Sequence, residues 1–253
     1  AGGSPAVQSA GQIRLIVAVR DTAPAPRYHG RVHRGNTVMK LFSPLARGLV
    51  LVTCLALSGV AAAQSQVVPT SEFYFDEDPR TAKPIVAVQG EGDALVDKLL
   101  KAIGRNPRAK AETAQLANIA MAGGRPQLGL ELYSRVTAQI DTNDGMYRPV
   151  LWNYGWDLYR NGDHEAALAQ WQALLQSRSV NAQWMPATFA LVLWQLDRKQ
   201  EAVQWYAAAV RTEPGKWTGA DRYAELLPDW REEDRAVLAE VQQAWAADPP
   251  GWR

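Results

Sequence analysis

The segment Leu158–Trp171 (LYRNGDHEAALAQW) returns 35 residues later as Leu193–Tyr206 (LWQLDRKQEAVQWY). Each copy runs from an apolar residue through a polar turn to an alanine, Ala167 or Ala202. An aromatic follows four residues on, Trp171 or Tyr206. Apolar residues spaced by three and four describe one face of a helix, and self-similarity at a period near 34 describes stacked helical hairpins. One hairpin cannot bury its apolar face alone, so the pattern commits the chain to an all-α array whose neighbours cover one another. Such arrays serve binding far more often than chemistry.

The flanking residues fill in the expected plan. Residues 64–92 read as a linker, with an acidic-aromatic island at Phe73-Tyr74-Phe75-Asp76-Glu77-Asp78. The β-branched run Ile85-Val86-Ala87-Val88 is expected either to pair as a short strand or to dock on the helices. Gly90-Glu91-Gly92 lacks the third glycine and the βαβ context of a phosphate-binding loop. From Asp93 the period is helical, with Ala94, Leu95, Leu99, Ala102 and Ile103 on one face and Gly104 as a stop. Pro126 fits a first helical position after Gly123-Gly124, and Asn161-Gly162-Asp163 supplies a stop followed by a capping acid. The last helix is expected to begin near Asp229, to hold Glu232 and Glu233 in its first turn, and to end before Pro249-Pro250.

The first methionine is Met39. A basic start (Met39–Arg47), an apolar run from Gly48 to about Val60 and the small residues Ala61-Ala62-Ala63 describe a secretory signal peptide, residues 39–63, with cleavage expected after Ala63. The run is too short to span a bilayer, which takes about 20 residues. Residues 1–38, with five arginines, one acid and no helical or strand period, are expected to be a mis-started extension; a basic extension is the alternative. This division changes the charge. Of 27 basic and 26 acidic side chains, residues 1–63 hold seven and one, leaving 20 and 25, a formal net of −5. A mildly acidic exported chain, expected in the periplasm, is not built for nucleic acid. Cys54 is the only cysteine, and Leu51-Val52-Thr53-Cys54 only faintly resembles a lipoprotein cleavage box, because Thr53 stands where a smaller residue belongs. After cleavage at Ala63 no disulfide is available, so core packing must hold the fold.

The repeated residues resemble those of the tetratricopeptide repeat family, and the chain is read as an exported bacterial protein of that kind. The family's 34-residue helix–turn–helix asks for small residues where its two helices touch and large apolar ones beside them. Over residues 148–181 these are Gly155 and Ala167, with Tyr154, Leu158 and Trp171. Over residues 183–216 they are Ala190 and Ala202, with Phe189, Leu193 and Tyr206, and Pro214 matches the closing proline. A third copy spans 110–143 through Ala117, Gly129, Leu116 and Tyr133, with Asp141 and, in the second copy, Ser179 where the closing proline belongs. An insertion around Asp141–Gly145 separates the first two copies. The resemblance implies an antiparallel helix-hairpin solenoid of about three repeats over residues 93–253, after a short irregular N-terminal segment. Residues 218–247 fit no repeat and serve as a C-terminal helical cap.

The resemblance also implies a concave groove lined by the first helix of each hairpin. Carried over, its residues are Trp152, Trp156, Tyr159 and Arg160, then Trp184, Leu191, Trp194 and Gln195. Independently, Trp152, Trp156 and Tyr159 form one helical stripe, and all ten tryptophans lie between Trp152 and Trp252. Five bare large aromatics would expose roughly 750–1,250 Å², whereas a monomer's largest apolar patch is about 300–600 Å². The stripe is therefore either core or covered, by Phe73-Tyr74-Phe75, by the cap with Trp217 and Trp230, or by a partner.

Chemistry finds little to work with. His164 is the one histidine beyond residue 63, at the start of an outer helix, which leaves no histidine-cysteine metal site and no Cys-His nucleophile. Asp229, Glu232, Glu233 and Asp234 read as capping and dipole partners rather than as a paired-carboxylate site. The expectation is a non-enzymatic envelope adaptor or assembly factor that takes a protein or peptide partner and needs no cofactor or metal. The alternatives are a glycan-binding or weakly hydrolytic envelope protein and a structural homo-oligomer.

Overall fold

The computed structural model describes residues 66–69 and 75–251. The extension 1–38 and the signal peptide 39–63 lie outside the described residues, as do Phe73 and Tyr74. The described chain is predominantly helical: α1 (Gly92–Arg105), α2 (Lys110–Ala122), α3 (Pro126–Thr137), α4 (Tyr147–Arg160), α5 (His164–Gln176), α6 (Met185–Gln195), α7 (Lys199–Thr212), α8 (Pro214–Trp217), α9 (Tyr223–Leu226) and α10 (Glu232–Ala247). The strands β1 (Phe75–Asp76) and β2 (Asn181–Ala182) pair in parallel. No helix of the described residues is long and apolar enough to cross a membrane.

Helices α2 and α3, α4 and α5, and α6 and α7 are the most closely packed pairs. Consecutive pairs touch through α2 with α4, α3 with α4, and α5 with α6. Each pair is joined by three residues, too few for anything but a reversal of direction. The three turns share one geometry. The N–H groups of Arg125, Asp163 and Arg198 reach back to the carbonyls of Ala120, Leu158 and Leu193 at 2.9, 3.0 and 2.9 Å. The middle residues Gly124, Gly162 and Asp197 all have positive φ, at 72°, 87° and 57°. This is the Schellman stop, in which a left-handed residue lets the last carbonyls of a helix find donors. In the second turn the Asp163 side chain then accepts from Ala166 N at 3.2 Å and opens α5.

Side-chain size sets how closely the paired helices approach. A Cβ added at Gly155 would fall 2.6 Å from Trp171 Cε2, so the indole of α5 lies directly on the α4 backbone. At Gly129 the added atom would meet Met121 Sδ at 2.5 Å. Two apolar clusters result. One gathers α1 to α4 around Leu99, Ala117, Tyr133 and Val150; the other gathers α4 to α7 and α10 around Trp171, Phe189, Trp205 and Leu238. Tyr154 touches both.

The elements outside the pairs differ in detail from expectation. Helix α1 runs through Gly104 to Arg105, because nothing there requires a positive φ. Pro214 does not simply close a helix; it opens the single turn α8. Helix α10 begins at Glu232 rather than near Asp229, set by a cap in which Asp234, in its first turn, accepts from Arg231 N at 3.3 Å. The run Ile85–Val88 docks rather than pairing as a strand: Ile85 and Val88 pack on the first cluster while Ala87 and Val88 bond to a helix side chain.

Residues 66–69 and 75–91 form a strap across the helices, interrupted by a turn at Asp78–Ala82, and its anchors are spread along the whole set of pairs. Val67 donates its N–H to Glu201 Oε2 at 2.6 Å and accepts from Trp205 Nε1 at 2.8 Å, both on α7. Asp76 and Asp78 pair with Arg178 at 2.6 and 2.7 Å, and Asp78 also accepts from Trp184 Nε1 at 3.2 Å. Lys83 O accepts from Asn153 Nδ2 on α4 at 2.9 Å. Gln115 on α2 takes the N–H groups of Ala87 and Val88 on its oxygen and donates to Val88 O, each at 2.9 Å.

Candidate functional site

A chamber of about 430 Å³ opens against α4 and α6, within the range of small-ligand and peptide sites, about 300–1,000 Å³. Its aromatic surface comes from Trp152, Trp156, Trp184, Trp217 and Trp230. One wall is the strap, including Pro79 and Pro84, and another is the segment Leu226–Trp230 that follows α9. The tryptophans brace one another: Trp152 and Trp184 have ring centroids 4.8 Å apart, and Trp230 stands edge-on to Trp156 at 5.0 Å.

Of the groove residues expected from sequence, Trp152, Trp156, Arg160 and Trp184 line this chamber. The three tryptophans are 9%, 7% and 9% exposed, so each shows only part of its surface. The aromatic surplus is covered by the chain's own strap and C-terminal segment. The other four expected residues lie elsewhere. Tyr159 is buried against Trp156, Trp171 and His164, and burial first of all raises its hydroxyl pKa. Leu191 is core. Trp194 donates to Glu240 Oε2 on α10 at 2.9 Å and carries the Lys199 ammonium on its ring, and Gln195 is exposed. The cap helix α10 packs on α6 and α7, so the expected groove closes at its third pair.

Sequence reasoning missed the polar residues of the site. Asp157, 4% exposed, accepts from Asn118 Nδ2 at 2.7 Å and from Tyr133 Oη at 2.6 Å, joining α4 to both helices of the first pair. Burial raises its pKa, and these two bonds only partly oppose that. Burial likewise holds the Tyr133 hydroxyl well above its usual pKa, with the Asp157 charge adding to it. Asn153 and Gln115, which hold the strap, were also missed. The available signal was a polar residue next to the aromatic stripe of an inner helix, as at Asn153 and Asp157, one turn apart.

Most polar groups of the chamber are already committed. Asn118 serves Asp157, Asn153 serves Lys83 O and Pro149 O, and Gln183 and Lys216 serve Glu213. Glu77 and Asp229 stand exposed at the rim. Uncommitted donors remain. The indole N–H groups of Trp152, Trp156 and Trp230 bond to no described residue, and they are not sealed from solvent. The Thr188 hydroxyl, on the same wall, is fully buried without a partner. The Arg160 guanidinium lies over Trp156, 5.3 Å from the ring centroid, and forms no ion pair among the described residues. No group of three or more metal-ligating side chains occurs among the described residues.

No protein-family model, no curated protein and no solved structure matches the chain.

Proposed function

We propose that this chain is an exported, non-enzymatic interaction module: a tetratricopeptide-like solenoid of three helix pairs that holds an extended polypeptide in an aromatic-lined groove. The observation that carries the reading is the strap. Gln115 and Asn153, on the first helices of two successive pairs, already bond the backbone of Lys83–Val88 through side-chain amides. Side-chain amides that read a backbone accept an extended segment whatever its sequence, and specificity then comes from pockets alongside. The tryptophan chamber is such a pocket, lined by Lys83, the strap residue whose carbonyl Asn153 holds.

The test is site-specific photocrosslinking from position 160, exposed at the chamber, in cells producing the chain from Met39. A discrete adduct with a second protein in the envelope fraction, lost in Trp230→Ala, supports the module. Adducts with the chain's own copies alone would replace it by the homo-oligomer. Absence of any protein adduct, with tryptophan quenching by oligosaccharides, would replace it by the glycan reading.

A further inference from the structure

We propose that the tryptophan chamber takes a proline-bearing extended segment of its partner. The inference rests on the peptide-binding reading and adds the chemistry of what is bound.

The argument is one of matching donors and acceptors. Inside the rim, where the free carboxylates Glu77 and Asp229 stand exposed, the chamber's reachable free groups are donors: three indole N–H groups and the Arg160 guanidinium. Its inner carboxylates are spent, since the buried Asp157 holds Asn118 and Tyr133 while the half-buried Glu213 holds Lys216 and Gln183. A ligand that brought its own N–H groups into this space would leave them unsatisfied, which is costly. A run of prolines brings carbonyl acceptors and no N–H at all. Its rings are compact and apolar, and its left-handed extended helix is formed before binding, so little order is lost on docking. A saccharide makes the opposite demand. Its hydroxyls need acceptors as well as donors, and the chamber's amides and inner carboxylates are already engaged.

The chain's own prolines illustrate the fit. Pro79 and Pro84 of the strap and Pro228 of the C-terminal segment all stand in the chamber wall beside the tryptophans. Three prolines are thus already part of this site in cis. Charge does not select the ligand, because the chamber's four acids and three bases nearly balance.

The experiment is calorimetric titration of the full chain with three probes: N-acetylated, C-amidated octaproline, an octapeptide of alternating alanine and serine, and cellohexaose. The expected result is saturable binding of octaproline, at least tenfold tighter than the alanine-serine peptide, with no heat from the saccharide. Trp230→Phe keeps an aromatic face but removes one indole N–H, and it should weaken octaproline several-fold. Arg160→Gln, at an exposed side chain, should weaken it as well. Equal binding of the two peptides would overturn the proline inference and leave the peptide-binding reading intact. Binding of cellohexaose alone would overturn both. Failure of octaproline to bind the wild-type chain would overturn the inference.

Discussion

The Tyr133 hydroxyl donates to Asp157 Oδ2 at 2.6 Å, from the second helix of one pair to the first helix of the next. Both side chains are buried, so the bond is an inter-pair tie inside the core. Tyr133→Phe leaves a buried carboxylate short of a donor and should cost about 1–3 kcal/mol in urea unfolding. The carboxylate also gives stability a pH signature. Burial raises the Asp157 pKa above its ordinary value of 3.8, so the folded state holds the proton more tightly than the unfolded state. Ionised Asp157 therefore costs stability at neutral pH, and the cost is relieved as pH falls from its folded pKa toward 3.8. Asp157→Asn should compare best with wild type at neutral pH and lose ground as the solution is acidified. A stability difference flat across that range would show that the carboxylate pays no such burial cost.

Gly155, on the first helix of its pair, and Gly129, on the second helix of its own, both stand where paired helices touch but face different neighbours. At Gly155 the obstacle is the rigid indole of Trp171, itself fully buried; at Gly129 it is the flexible end of Met121. Gly155→Ala should destabilise by about 1–3 kcal/mol or more through overpacking. Gly129→Ala should cost much less, because Met121 can turn aside and alanine favours the helix by roughly 0.5–1 kcal/mol. Thermal unfolding of the two variants decides the matter, and equal losses would refute it.

Asp197 holds at φ 57° the position that Gly124 and Gly162 fill in the other turns. A non-glycine residue in the left-handed region is strained by roughly 1–2 kcal/mol, somewhat less for aspartate. Asp197→Gly should raise stability by about 0.5–1 kcal/mol in denaturant unfolding. Loss of stability instead would mean the side chain contributes more than its backbone costs.

Gln115→Ala removes three bonds to the strap at once. Global stability should fall by about 1–2 kcal/mol, since water can reach the freed strap groups and limit the loss. Amide exchange should accelerate at Ala87 and Val88 well before it does in α2. Unchanged protection at those two amides would show that apolar docking of Ile85 and Val88 alone fixes the strap.

The helical content and the sites of reversal were legible because they depend on local rules. Gly162, Asp163 and Pro126 act through backbone geometry and capping, and each sits where its chemistry placed it. That Trp152 and Trp156 share one helix face was legible too, because it follows from helical spacing alone. Leu191, Trp194 and Gln195 lie away from the chamber, and helical spacing cannot foresee that α10 folds back over α6 and α7. The strap was invisible for a related reason. Its bonds to Gln115, Asn153, Arg178 and Trp205 join segments with no common period, and a short β-branched run such as Ile85–Val88 reads alike as strand or as docked coil.

The order of the strap's anchors runs opposite to that of the helices. Val67 is fixed on α7, Asp76 and Asp78 near the start of α6, Lys83 on α4, and Val88 on α2. An array of helix pairs in contact only with their neighbours can assemble one pair at a time and fray from either end. Here the first strap residue waits for Trp205, 138 positions later, before its bond can form. Closing a loop of that length carries an entropic charge that the finished fold alone offsets, so the backward-running anchors slow the last step of folding. They also turn a chain of separable units into one that opens as a whole.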